Sequence, residues 1–212
     1  MATLIWDEVG EKTYQTGVDR GVLYLADGTS APWNGLTSVE ESPNLERKSF
    51  YLDGIKYLES LIPGDFLGTL KAFTYPEEFD AVNGIAALSP GLNLHDQPPK
   101  SFSLSYRTKI GNDLDGLDHG YKIHILYNVF AEPDANAFNT LSGSDVKPVE
   151  FSWKLSGTPQ KPVGYRPSVH ISIDSITTPP EVLETLENTL YGTVSTVPSL
   201  PTISEIVDIF TP

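Results

Sequence analysis

The residues best suited to chemistry lie between 110 and 127, in IGNDLDGLDHGYKIHILY, where Asn112, Asp113, Asp115 and Asp118 crowd among glycines ahead of an alternating apolar run. Oxygen donors at such spacing are what a calcium loop uses. A loop of the EF-hand kind needs side-chain oxygens at positions 1, 3 and 5, glycine at 6 and a bidentate glutamate at 12. With Gly116 at position 6, Gly111 falls at position 1 and Lys122 at position 12. A residue without a side-chain oxygen and a cation in the strongest anionic place rule that loop out. The stretch reads instead as a long loop between two strands, with glycines supplying unusual backbone angles and Asn112 and Asp113 bonding to local amides.

Other reactive groups give no assembled site. His95, His119, His124 and His170 do not cluster along the chain, and His119 and His124 would face opposite sides of one strand. YPEEF and VEES each carry adjacent carboxylates, but neighbours on a strand diverge, so both read as solvated surface. There is no cysteine, which removes disulfides, thiolate metal sites and thiol nucleophiles together. No GxSxG, HExxH, P-loop or GxGxxG pattern occurs. No catalytic residue, metal ligand or cofactor is assigned, and the expectation is a protein that is not an enzyme.

The elements that would position these groups are mostly strands. Seventeen glycines and 17 prolines punctuate short stretches of period-two alternation, the mark of half-buried strands. In SFSLSYRTKI, Phe102, Leu104, Tyr106, Thr108 and Ile110 share one face and serines and cations the other. YKIHILYNVF turns apolar on both faces beyond His124, which places it centrally in a sheet. VEFSWKL aligns Val149, Phe151, Trp153 and Leu155, and SVHISID aligns Val169, Ile171 and Ile173. RGVLYLADG, KSFYLDGIKYLE and GTLKAFTY read as further strands. Asn34-Gly35 in APWNGLTSVEE is a hairpin signal, with Trp33 beside it as a packing anchor or, alternatively, a sugar platform.

Helical spacing occurs only near the C-terminus. Thr178 is the expected N-cap of a helix carrying Val182, Leu183, Leu186 and Leu190 before Gly192. The stretch TVSTVPSLP is an extended linker, and Thr202 with Glu205 forms a capping box for a short second helix with Ile206, Val207 and Phe210 on one face. The chain is read as one domain over 1–212, with 178–212 forming helix, linker and short helix.

A formal net charge of −14 has the wrong sign for gripping phosphates. The first residues, MATLIWDEVGEK, lack the basic flank and apolar segment of a signal peptide, and no run reaches the ~20 apolar residues of a membrane span. Folding in a cytoplasm, with no membrane partner, is the expectation.

Longer phrases are more specific. GEKTYQTGVDRGVLY, APWNGLTSVEES, YLDGIKYLE, GTLKAFTYPEEF, LSYRTKIGND, GYKIHILYN, GYRPSVHISIDS and LYGT resemble the major tail protein, the tail tube subunit, of long-tailed noncontractile bacteriophages, especially those infecting actinobacteria. The resemblance runs from Trp6 to Phe210. It implies a mainly β, tail-tube-type β-sandwich with one flanking helix and a short C-terminal helix. Such subunits would form hexameric rings whose strands join into a lumen-lining barrel, stacked into the tube through which DNA is ejected. The implied partners are further copies of the chain, the tape measure protein, and the tail terminator and distal tail proteins. DNA passes without stable binding, and the location is the virion after assembly in the host cytoplasm. The contacts expected between subunits or rings are Trp6 and Tyr14 in the N-terminal segment, Trp33 and Asn34, and Asp113, Asp115 and Asp118 in the loop. The competing expectation is a secreted or surface β-sandwich that binds carbohydrate.

Overall fold

The computed structural model describes residues 4–42, 44–140, 147–162 and 164–211. The chain is mainly β, with an antiparallel sheet and two helices. In order it forms β1 (Tyr14–Leu25), β2 (Ser30–Trp33), β3 (Leu36–Ser42), β4 (Leu45–Leu52), β5 (Ile55–Pro63) and β6 (Phe66–Ala72). A 3₁₀ turn (Glu77–Ala81) precedes β7 (Ala86–Ser89), β8 (Leu92–Leu94), β9 (Phe102–Asn112), β10 (Gly116–Pro133), β11 (Phe151–Gly157) and β12 (His170–Asp174). The chain ends in α1 (Pro180–Tyr191) and α2 (Ile203–Phe210).

The main sheet runs β2-β1-β9-β10-β11-β6-β3, with β12 also on β10. β10 is long enough to serve two partners on one edge: Lys122 to Leu126 pair with β12, and Val129 to Pro133 with β11. The change of partner falls at a bulge where Asn128 has φ 47°. That bulge also reverses the alternation. Ile123, Ile125 and Tyr127 join one core with Ile173, Leu186, Leu190, Ile203 and Ile206, whereas Leu126 and then Val129 and Ala131 join the other. The strand is central, as its apolar character on both faces implies.

The two strands at the ends of this order, β2 and β3, are consecutive in sequence and joined by Asn34-Gly35. The turn is not a hairpin: β2 pairs with β1 and β3 with β6. Gly35 takes φ 83°, its carbonyl accepts from Phe73 N, and the Asn34 carbonyl accepts from Thr74 Oγ1. The sheet thus rolls until its two ends are linked by one turn. Inside the roll Trp33, Phe79, Phe102 and Trp153 meet edge-on or tilted, with ring centroids 4.5–5.8 Å apart, a geometry that suits aromatic quadrupoles. The Trp153 indole donates to Asn83 Oδ1 at 2.7 Å and the Trp33 indole to Thr74 O at 2.9 Å. Phe79 sits in YPEEF, so that segment is anchored in the core while Glu77 and Glu78 remain exposed.

Both helices cover the outer face of β1, β10 and β12. Because of this cover, the second face of β9 is dry where alternation alone makes it wet. Ser103 and Ser105 are buried, and Ser105 Oγ lies 3.3 Å from the Tyr24 hydroxyl, which donates to Leu190 O. The N-cap of α1 is Pro179 rather than Thr178, whose hydroxyl instead donates to Asp174 O. α2 begins with the expected capping box of Thr202 and Glu205. Its buried residues are Ile203 and Ile206, whereas Val207 and Phe210, expected on the same face as Ile206, are exposed. In β12, Ile171 and Ile173 face the helices, but Val169 lies before the strand and turns into the inner core.

Candidate functional site

The loop after β9 is tighter than its composition suggests. Pairing continues to Asn112↔Gly116, leaving residues 113–115 to make the turn. Asn112 is buried and its Oδ1 accepts from Leu114 N (3.1 Å) and Asp115 N (2.6 Å). Asp115 accepts from Asn112 Nδ2 and lies 3.2 Å from His119 Nδ1. Asp113 reaches further, accepting from Gly10 N at 3.0 Å. Gly111 lets the Tyr14 ring lie directly on the backbone, since a Cβ there would sit 2.5 Å from the ring. Gly10 and Tyr14 therefore join the N-terminal segment to the acidic turn, where Tyr14 is half-exposed and the Asp113, Asp115 and Asp118 carboxylates are exposed; Trp6, earlier in the segment, is exposed as well.

Asn34 is exposed at the β2–β3 turn. Trp33 is 3% exposed. Its ring belongs to the inner core, which removes it both as a contact residue and as a sugar platform.

The largest exposed apolar feature was read in sequence as an ordinary strand. KSFYLDGIKYLE is a hairpin, β4 and β5, turning at Asp53 (φ 50°) and Gly54 (φ 76°). Two consecutive positive φ values define the tight turn that Asp-Gly favours. Among the described residues neither strand pairs with the main sheet. Phe50, Tyr51, Leu52, Ile55, Tyr57, Leu58, Leu61 and Ile62 are all exposed, Tyr57 to 73%. Arg47 and Lys56 both meet Glu59. A two-stranded hairpin is marginal in water by itself, and this one exposes large apolar side chains on both strands.

At the root of the arm lies the one cluster of potential metal ligands found among the described residues: Glu41, His124 and His170. Glu41 comes from VEES at the end of β3 and points inward while Glu40 is exposed. His124 and His170 are diagonal neighbours on paired strands, since Leu126 is opposite His170 and His124 opposite Ser172. Sequence separation hid this pair, and the period-two rule alone could not supply the register. Thr108 Oγ1 is 3.0 Å from His124 Nε2; His124 Nδ1 is 3.0 Å from His170 Nε2; and His170 Nδ1 is 3.1 Å from Glu41 Oε2. The Tyr106 hydroxyl donates to Glu41 Oε1. With both imidazoles neutral, every donor in this chain has an acceptor. Burial raises the Glu41 carboxyl, but the Tyr106 hydroxyl and the adjacent imidazoles of His124 and His170 outweigh it and hold the group below its ordinary range. Burial lowers His170 from its ordinary value, against the pull of Glu41.

No protein-family pattern and no curated protein sequence matches the chain. Solved structures give partial likenesses. The tube-terminating cap of the anti-feeding prophage is similar at TM-score 0.42 and 9% identity, over 82% of this chain and 97% of that one. A chain of the sheath-tube complex of an extracellular contractile injection system, in the extended state, is similar at TM-score 0.37 and 15% identity, over 73% and 88%. The sheath/tube terminator of the same kind of system gives TM-score 0.36 and 15% identity, over 76% and 97%.

Proposed function

We propose that the chain is a self-assembling structural subunit of the noncontractile phage tail tube, arranged as stacked hexameric rings that conduct DNA. The observation that carries this reading is the β4–β5 arm. Its eight exposed large apolar side chains have no use in a monomer and are an aggregation hazard there, whereas a neighbouring copy can cover them. The tail-tube phrases in the sequence support the kind of assembly. β2, β3 and β12 each have one edge unpaired among the described strands, so strand addition between copies offers a second, directional joint.

Ring formation by a heterologous interface closes when the rotation fits, and axial stacking then extends the assembly. The exposed Trp6–Tyr14 segment and the Asp113–Asp118 turn form the surface assigned to contacts between rings. Six copies multiply a formal charge of −14, which slows spontaneous growth and repels DNA phosphates inside a conduit. The tape measure, terminator and distal tail proteins are the proposed partners within and at the ends of the tube.

Negative-stain electron microscopy of the purified chain at rising concentration and salt tests the reading. Sixfold rings or hollow tubes are expected, and they should disappear when Tyr57 and Leu58 are both changed to serine. Assemblies of any other symmetry, or tubes indifferent to the arm substitutions, would overturn it.

A further inference from the structure

We propose that Glu41, His124 and His170 form a binding site for a divalent transition metal of the zinc class, fastening the end of β3 to β10 and β12 at the root of the arm. Two imidazoles and one carboxylate are the donor set that such ions prefer, and three protein ligands leave one position for water. The donor atoms lie within 4.8 Å of one another, so short ring movements bring them to a common ion. The side chains are 12–27% exposed, dry enough to hold a cation yet reachable. Access runs through a cleft of about 570 Å³, lined by Glu41, Asn44, Gly64, Asp65, Arg166 and His170 among others.

Outer partners for His124 and Glu41 are already present. A ligating histidine keeps its other nitrogen protonated and bonded, which fixes tautomer and ring angle. When His124 binds through Nδ1, its proton moves to Nε2, where Thr108 Oγ1 at 3.0 Å accepts it. The Tyr106 hydroxyl on Glu41 orients the carboxylate in the same way. Without metal the same groups close on themselves as the hydrogen-bonded chain Thr108–His124–His170–Glu41, so the site exchanges one satisfied state for another. The placement gives the ion a structural role: β3 ends at Ser42 and β4 starts at Leu45, so an ion on Glu41 anchors the strand from which the arm emerges. This inference stands whether or not the chain builds a tube.

The test uses tag-free full-length protein, stripped with a chelator and titrated with Zn²⁺ by calorimetry and with Co²⁺ by visible absorption. One ion per chain is expected, with His170→Ala and Glu41→Gln each weakening it beyond the roughly 10–100-fold that loss of an outer partner costs, and Thr108→Ala falling within that range. Circular dichroism of each variant establishes that it is folded. Should the ligand variants unfold, imidazole NMR of the unaltered protein decides: zinc must shift His124 and His170 and leave His95 and His119 in place. No uptake at millimolar zinc, uptake unchanged in folded His170→Ala, or shifts confined to His95 or His119 would overturn the assignment.

Discussion

Arg107 grips Asp19 at two points, Nε to Oδ1 at 2.7 Å and Nη2 to Oδ2 at 2.9 Å, across the irregular half of the β1–β9 pairing. Register slips on both sides of Asp19, where Gly17 and Arg20 take positive φ, and the ion pair holds the two strands together through that interruption. The guanidinium also stacks 4.6 Å from the Tyr121 ring centroid, and the Tyr121 hydroxyl donates to Glu187 of α1 at 2.7 Å. Burial and Glu187 push that phenol up to about 12.

Asp19 gives a pH dependence with a definite sign. The hydrogen bonds from Arg107 hold its carboxyl below the ordinary 3.8, so its contribution is complete above that value and is lost as pH falls through the lower, folded-state value. Asp19→Asn should cost about 1–3 kcal/mol at neutral pH and flatten the acid limb of a stability–pH curve measured by urea unfolding. An unchanged acid limb would show that the pair is spectator to folding.

The inner aromatic core should be costly to open. Phe79 is fully buried against Trp33, Phe102 and Trp153, and Phe79→Ala is expected to destabilise by about 3–5 kcal/mol. Denaturant titration reads this directly, and a cost below ~1 kcal/mol would mean the turn is not seated as described.

Gly35 should resist substitution for two reasons. Its φ is 83°, and an added Cβ would sit 2.9 Å from Thr74 Oγ1 and 3.2 Å from Thr74 N. Gly35→Ala is therefore expected to lower stability by more than ~1 kcal/mol, against a gain for alanine at an unstrained position. Thermal unfolding distinguishes the two signs.

The acidic turn and the N-terminal segment should come apart together. Asp113→Ala removes the acceptor for Gly10 N, so amides of residues 4–13 should exchange with deuterium faster while those of β9 and β10 stay protected. Equal exchange in both proteins would separate the two elements.

Charge should govern the rate of assembly. Raising salt to about 1 M cuts the Debye length to about 3 Å, which is expected to increase light scattering from the concentrated protein and leave the Tyr57→Ser, Leu58→Ser variant flat.

Much of the fold is legible in the sequence where one periodicity has one cause. β9, β10, β11 and β12 lie where alternation puts them, and Thr202 with Glu205 marks α2. Errors arise where tertiary neighbours decide. Ser105 looks wet until α1 and α2 cover its face, and Asn34-Gly35 looks like a hairpin until β2 and β3 find partners at opposite ends of the sheet. Asp53-Gly54 carried the same kind of local signal, and there the two flanking strands do pair with each other. The Glu41–His124–His170 cluster depends on register between strands far apart in the chain, information that no local pattern contains. Trp33 and Asn34 are adjacent in sequence, yet the turn sends one into the core and the other to solvent.

The rolled sheet also dictates an order of events. β10 needs β12 along one half and β11 along the other, and the outer face of β12 and of the half of β10 beside it stays bare until α1 and α2 exist. Because the pairings that finish the roll join residues far apart in sequence, loop closure precedes most of the reward, the condition for slow folding. A chain emerging from the ribosome therefore carries the apolar residues of β4 and β5 in the open, as a hairpin marginal by itself, long before the body of the sheet can fold.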